Sequence, residues 1–201
     1  IDNFINGFGL RWNIVERVQT YTNPLWALLV GFCYWATGEI YYTATALSVV
    51  VSLAAVYLYA RHLAASTVVA IIGTALLCSS KAFIDYSTSG LENPLSHLLL
   101  ASFAWVYLRR ADLAVRLWPL SFIAALATCN RMDTALVYAP ALLHAVVTSF
   151  NPRQILRLLA GLIPLAAWNV FSIIYYGFPF PNTAYFKLGG GIPSVELSRY
   201  G

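Results

Sequence analysis

Few of the 201 residues combine reactive chemistry with a suggestive spacing. Arg131 and Asp133 flank Met132 just after Asn130, so a cation and an anion share one short polar break. A planar guanidinium fork suits phosphate, whose oxygens it can meet in pairs. Structure alone also accounts for both residues, with Arg131 reaching toward lipid headgroups and Asp133 capping a helix from Thr134. Glu92 stands in the run Tyr86-Ser87-Thr88-Ser89-Gly90-Leu91-Glu92-Asn93-Pro94, close in sequence to Asp85 and Lys81. Beside an apolar segment, a carboxylate is costly unless paired or solvated in a cavity, although Ser89 and Glu92 also have capping-box spacing. Glu16 and Arg17 open a third polar run, ERVQTYTNPLW, which ends at Trp26. Lys187 follows an aromatic, proline-rich stretch from Tyr175.

The elements that must position these residues are strongly apolar. Apolar residues make up 60% of the chain and charged residues 10%, against about 25% charge in a soluble domain. This composition is that of an integral membrane protein. The chain starts at Ile1 without an initiator Met, its single Met is Met132, and it stops in a polar stretch, Arg199-Tyr200-Gly201. It therefore reads as an internal fragment of a longer protein. Cys33, Cys78 and Cys129 lie far apart inside apolar runs, which favours small buried hydrophobes over a disulfide framework or a metal site. The net charge of +4 comes from Arg residues scattered between apolar segments, so it reads as a topology signal rather than a nucleic-acid surface.

A helix crossing the hydrocarbon needs about 20 apolar residues. The runs 40–60, 66–84, 94–110, 113–130 and 154–176 meet or approach that length, and 134–150 lies at the short end. The expected fold is all-α: a transmembrane bundle of about six spans plus an interfacial helix at 24–38. On this reading 1–39 forms an outer loop with that helix, 40–176 the membrane helices and 177–201 a second outer loop. Arg61-His62, Arg109-Arg110 with Arg116, and Arg153 with Arg157 mark cytoplasmic loops by the positive-inside rule. The segments 1–23, 85–93, 131–133 and 177–201 then share the outer face.

Three helix starts repeat one dipeptide, Asn23-Pro24, Asn93-Pro94 and Asn151-Pro152. Asn caps free N–H groups and Pro fits the first helical turn, so each pair reads first as punctuation. The aromatic residues after Tyr175 suit a membrane interface, but Lys187 opposes the positive-inside trend and asks for another reason. Gly189-Gly190-Gly191 lacks the context of a nucleotide-binding loop and reads as a flexible link.

Taken in order, Gly9-Leu10-Arg11-Trp12-Asn13, the run Glu16 to Trp26, Thr88-Ser89-Gly90-Leu91-Glu92, Arg131-Met132-Asp133 and Tyr176-Gly177-Phe178-Pro179-Phe180-Pro181-Asn182-Thr183 cover nearly the whole chain. This series resembles the N-terminal half of bacterial polytopic glycosyltransferases of the GT-C superfamily, close to the mycobacterial-type arabinofuranosyltransferases. The resemblance implies an inverting pentosyl or hexosyl transferase in the bacterial plasma membrane, with its site on the extracytoplasmic face. It implies a polyprenyl-phosphate sugar as donor, a cell-envelope glycan hydroxyl as acceptor and membrane lipid as surroundings; the residues mark no metal site and no certain cofactor, and they do not decide a metal requirement. It also implies a catalytic Asp upstream of Ile1, so the fragment alone is expected to be inactive; Asp2 matches the part that follows that motif. Arg131, Lys187 and Arg17 are then the candidates for the departing phosphate. Glu92, Asp133 and Glu16 would orient sugar hydroxyls or hold those cations, and Tyr21, Trp26 and Asn182 would line the sugar pocket. Met132 and Thr134 stand where similar proteins commonly carry Pro and Gly, so donor identity does not transfer.

A transporter or channel would instead need charged or helix-breaking residues at mid-membrane. Here charges gather at span ends, and Pro140 and Pro164 are exceptions that neighbouring helices can tolerate. A non-catalytic scaffold would leave polar clusters on one face unexplained.

Overall fold

A computed structural model describes residues 1–11, 19, 21–109, 113–148 and 151–181. The described chain is helical, in the order α1 (Asp2–Ile5), α2 (Pro24–Thr37), α3 (Ile40–Leu58), α4 (Thr67–Ser79), α5 (Lys81–Thr88), α6 (Asn93–Leu108), α7 (Leu113–Asn130), α8 (Ala135–Thr148), α9 (Pro152–Gly161) and α10 (Ile163–Tyr176). A π turn, Tyr59–Leu63, prolongs α3, and a 3-10 turn, Met132–Thr134, joins α7 to α8.

Helix α7 is the hub, packing against α2, α6, α8, α9 and α10. Its sequence explains this position, because Ser121, Ala124, Ala125 and Ala127 are small and buried and admit neighbouring backbones closely. Gly161 in α9 is the extreme case. A Cβ there would lie 1.9 Å from Ser121 Oγ and 2.7 Å from the Trp118 carbonyl oxygen. On the other side, α3 offers Ser48, Ser52 and Ala55 to α6, which answers with Leu95, Leu99 and Phe103 at helical spacing. Trp26 and Val30 of α2, Leu120 and Ala124 of α7, and Tyr138 of α8 complete the core.

The expected all-α fold is met, and the expected six spans are matched in part. Among the described residues, Ile40–Leu63 is the one unbroken helix long and apolar enough to cross a membrane; counting each bent pair as one crossing makes three. The run 66–84 divides at Ser80 into α4 and α5, which meet at 73°. Ser80 ends one helix and its hydroxyl accepts the Phe83 N–H of the next. The run 154–176 divides into α9 and α10 at 53°. Pro164 therefore lies in the first turn of α10, where its missing N–H costs nothing, and does not interrupt a span. Apolar run length counts straight through such breaks, so the sequence showed no sign of them. Helix α2 has 14 residues, or about 21 Å at 1.5 Å per residue, short of a hydrocarbon layer of about 30 Å.

The end of the bundle carrying basic residues is tied to aromatic rings and helix carbonyls. The Arg116 guanidinium of α7 donates to the Val106 and Tyr107 carbonyls at 2.9 and 2.7 Å, closing the C-terminus of α6. Arg109 lies 3.9 Å over the Trp105 ring, and His62 stacks on the same indole at 4.5 Å.

Candidate functional site

At the opposite end of α6 and α7, three of the candidate residues meet. Asn130, fully buried at the end of α7, donates to the Glu92 carbonyl at 3.0 Å and to Ser96 Oγ at 2.9 Å. This links the last turn of α7 to the first of α6. The next residue, Arg131, has extended backbone, with its N–H bonded to the Ala127 carbonyl and its own carbonyl accepting from Thr134 N and Oγ1. A guanidinium on a backbone held from both sides has a defined direction.

The fork is filled in two parts. Arg131 Nε and Nη2 donate to the two carboxylate oxygens of Asp133 at 3.1 and 2.8 Å, a bidentate pairing. Nη1 faces Glu92 Oε1 at 3.3 Å and Asn93 Oδ1 at 3.4 Å. The second Glu92 oxygen accepts from the Asn23 amide at 2.9 Å. The two carboxylates differ in setting, since the Glu92 side chain is 15% exposed and that of Asp133 63%. Arg131 hydrogen bonding holds the Asp133 carboxyl below the usual carboxylate range, and the same bonds raise the Arg131 guanidinium further above neutrality. Glu92 also stands at the N-terminus of α6, where a negative charge is favoured by the helix dipole.

This arrangement corrects several local readings. Ser89 and Glu92 form no capping box: the Ser89 hydroxyl serves Tyr86 and Leu91, and the Glu92 carboxylate reaches Asn23 and Arg131. Asp133 pairs with Arg131 and also meets the backbone of its own 3-10 turn, with α8 beginning at Ala135. Of the three Asn-Pro pairs, Asn151 alone caps its helix by side chain, accepting from Arg153 N–H at 3.1 Å. Asn23 and Asn93 turn to Glu92 and Arg131 instead. Lys81 pairs with Asp85 one turn along α5, both exposed.

Tyr21 and Trp26 flank this cluster. The Trp26 side chain is core rather than interfacial, 4% exposed, and its indole N–H donates to the Gly90 carbonyl at 2.8 Å. Gly90 has φ +74°, a conformation that suits glycine in the turn leading to Glu92. Tyr21 is bonded through its hydroxyl to Tyr176, which in turn donates to the Leu10 carbonyl. Burial and that hydrogen bond push the Tyr21 phenol well above its ordinary range. Tyr21, Asn23, Trp26, Arg11 and Gly90 all line one cavity of about 360 Å³. A second cavity, of about 230 Å³, lies between Gln19, Thr22, Met132, Trp168, Asn169 and Pro181. Glu16, Arg17, Asn182 and Lys187 fall outside the described residues.

Sequence reasoning passed over Asn130 and Gln19 as site-building groups. Gln19, 2% exposed, accepts from the Ser172 hydroxyl of α10 at 2.9 Å. Both are amides beside apolar runs, a polarity that is costly to bury unless hydrogen-bonded and so could have marked them.

Comparison with known proteins gives the site a context. The chain is 29% identical over 210 residues to the terminal beta-(1->2)-arabinofuranosyltransferase of Mycobacterium tuberculosis, covering 95% of this chain and 34% of the relative. It is 26% identical over 219 residues to the protein of the same name from Corynebacterium glutamicum, covering 93% of this chain and 31% of that protein. The chain is related to arabinofuranosyltransferases. It spans about a third of the length of the curated relatives it matches. No family description and no solved structure matches it. Within that relationship, the arabinofuranosyltransferase-like chain brings a guanidinium, two carboxylates and three amides to one end of its helices, next to two cavities of monosaccharide scale.

Proposed function

We propose that the chain contributes part of the donor-binding region of a multi-pass bacterial membrane glycosyltransferase of GT-C type. The enzyme transfers a sugar, an arabinofuranosyl group by analogy with its relatives' names, from a polyprenyl-phosphate carrier to a glycan hydroxyl on the extracytoplasmic side, with inversion. A carrier of this kind has its cleavable bond at the membrane surface, which is where a polar cluster on helix ends would meet it. The departing phosphate needs a cation, and the attacking hydroxyl needs a base. Arg131 serves as the cation, with Arg17 and Lys187 as further candidates. Glu92 holds Arg131, and Tyr21, Trp26 and Asn182 bound the sugar.

The observation that carries this reading is the fixed Arg131 fork, held on Glu92 and Asp133 in a chain related to arabinofuranosyltransferases along nearly its whole length. The test uses the full-length reading frame in membranes. Arg131→Ala abolishes sugar transfer from a polyprenyl-phosphate donor while the protein still inserts. Wild-type turnover by that variant removes Arg131 from the site.

A further inference from the structure

The Arg131 fork has two unequal counter-ions. Glu92 meets Nη1, is 15% exposed, and is anchored by Asn23 from α2. Asp133 covers the Nε and Nη2 edge, the one that offers two parallel donors, and is 63% exposed. With both carboxylates in place the trio carries one net negative charge, which repels a phosphate. With Glu92 alone the pair is neutral and a two-donor edge is open. Asp133 belongs to a single 3-10 turn between α7 and α8, where its carboxylate meets both Arg131 donors and also accepts from the backbone of its own turn.

We propose that Asp133 is a displaceable counter-ion that occupies the anion seat of Arg131 in the unliganded protein, and that the donor phosphate takes the Nε and Nη2 edge from it while Glu92 stays on Nη1. This rests on the reading of Arg131 as the phosphate cation. Asp133 is a positioning residue, acting through Arg131 in two directions. It keeps the guanidinium aimed before binding, and it competes with the carrier phosphate left after transfer, which has gained a charge by losing its sugar. Neutralising Asp133 therefore tightens phosphate binding and slows product release, so KM and kcat fall together.

The experiment measures binding of farnesyl phosphate to the full-length protein in detergent micelles, with farnesol as the uncharged control and inorganic phosphate to separate a lipid-borne from a free anion. Arg131→Ala, Asp133→Asn and Asp133→Ser are compared, each with its thermal midpoint. An exposed ion pair is worth up to about 1 kcal/mol, or about fivefold, so both Asp133 variants should bind farnesyl phosphate about fivefold more tightly than wild type, with farnesol unaffected. A gain cannot come from a damaged fold. If Arg131→Ala loses binding while both Asp133 variants bind as wild type or more weakly, the counter-ion proposal is overturned and the phosphate reading stands. If Arg131→Ala also binds as wild type, both are overturned.

Discussion

The Asn23 amide donates to Glu92 Oε2 at 2.9 Å across 69 positions of sequence, tying the start of α2 to the start of α6. That bond turns the Asn23 side chain away from its own helix and gives Glu92 a second donor beside Arg131. Replacing Glu92 by Ala strands the Asn23 amide and leaves Nη1 of Arg131 with Asn93 alone. We expect a loss of about 1 to 3 kcal/mol, read as a lower thermal midpoint in detergent, with Glu92→Gln about half as severe because it keeps one acceptor in place.

Asn130 is fully buried and bridges the Glu92 carbonyl and Ser96. Asn130→Leu removes the donor from a half-buried backbone carbonyl and hydroxyl. The expected cost is about 1 to 3 kcal/mol, and the Arg131 loop should also become more open to proteolysis. Wild-type resistance in this variant would show that the bridge does not hold the loop.

Gly161 allows α9 to touch α7. The nearest obstacles to a Cβ include the backbone atoms Trp118 O at 2.7 Å and Phe122 N at 2.8 Å, which a rotamer change cannot move. Gly161→Ala is expected to destabilise by about 1 to 3 kcal/mol through overpacking, and Gly161→Val by more. A thermal midpoint at or above wild type for the Ala variant would refute the contact.

The depressed carboxyl of Asp133 makes a pH prediction. A group whose folded pKa lies below its unfolded value stabilises the fold above that unfolded value, about 4 for Asp, and the benefit is lost as pH falls through the lower folded value. The thermal midpoint of wild type should therefore drop more steeply below about pH 4 than that of Asp133→Asn. Because Asp133 is 63% exposed, solvent screening keeps the difference small.

Much of this molecule was legible in its sequence, for reasons that act locally. Apolar composition pointed to membrane helices, and Asn-Pro pairs marked helix starts because capping and backbone conformation depend on a few neighbouring residues. Arg131, Glu92 and Asp133 stood out because charges beside apolar runs demand partners. The tertiary structure decided which partners they found. Asn23, Asn93 and Asn151 precede proline alike, yet only the Asn151 side chain caps its own helix, because packing brought a carboxylate or a guanidinium to the other two side chains. Trp26 became core for the same reason, and the apolar runs at 66–84 and 154–176 bent at Ser80 and Leu162. Periodicity and propensity set what a segment can form, whereas the choice between a local hydrogen bond and one across the fold depends on what the other helices place within 3 Å.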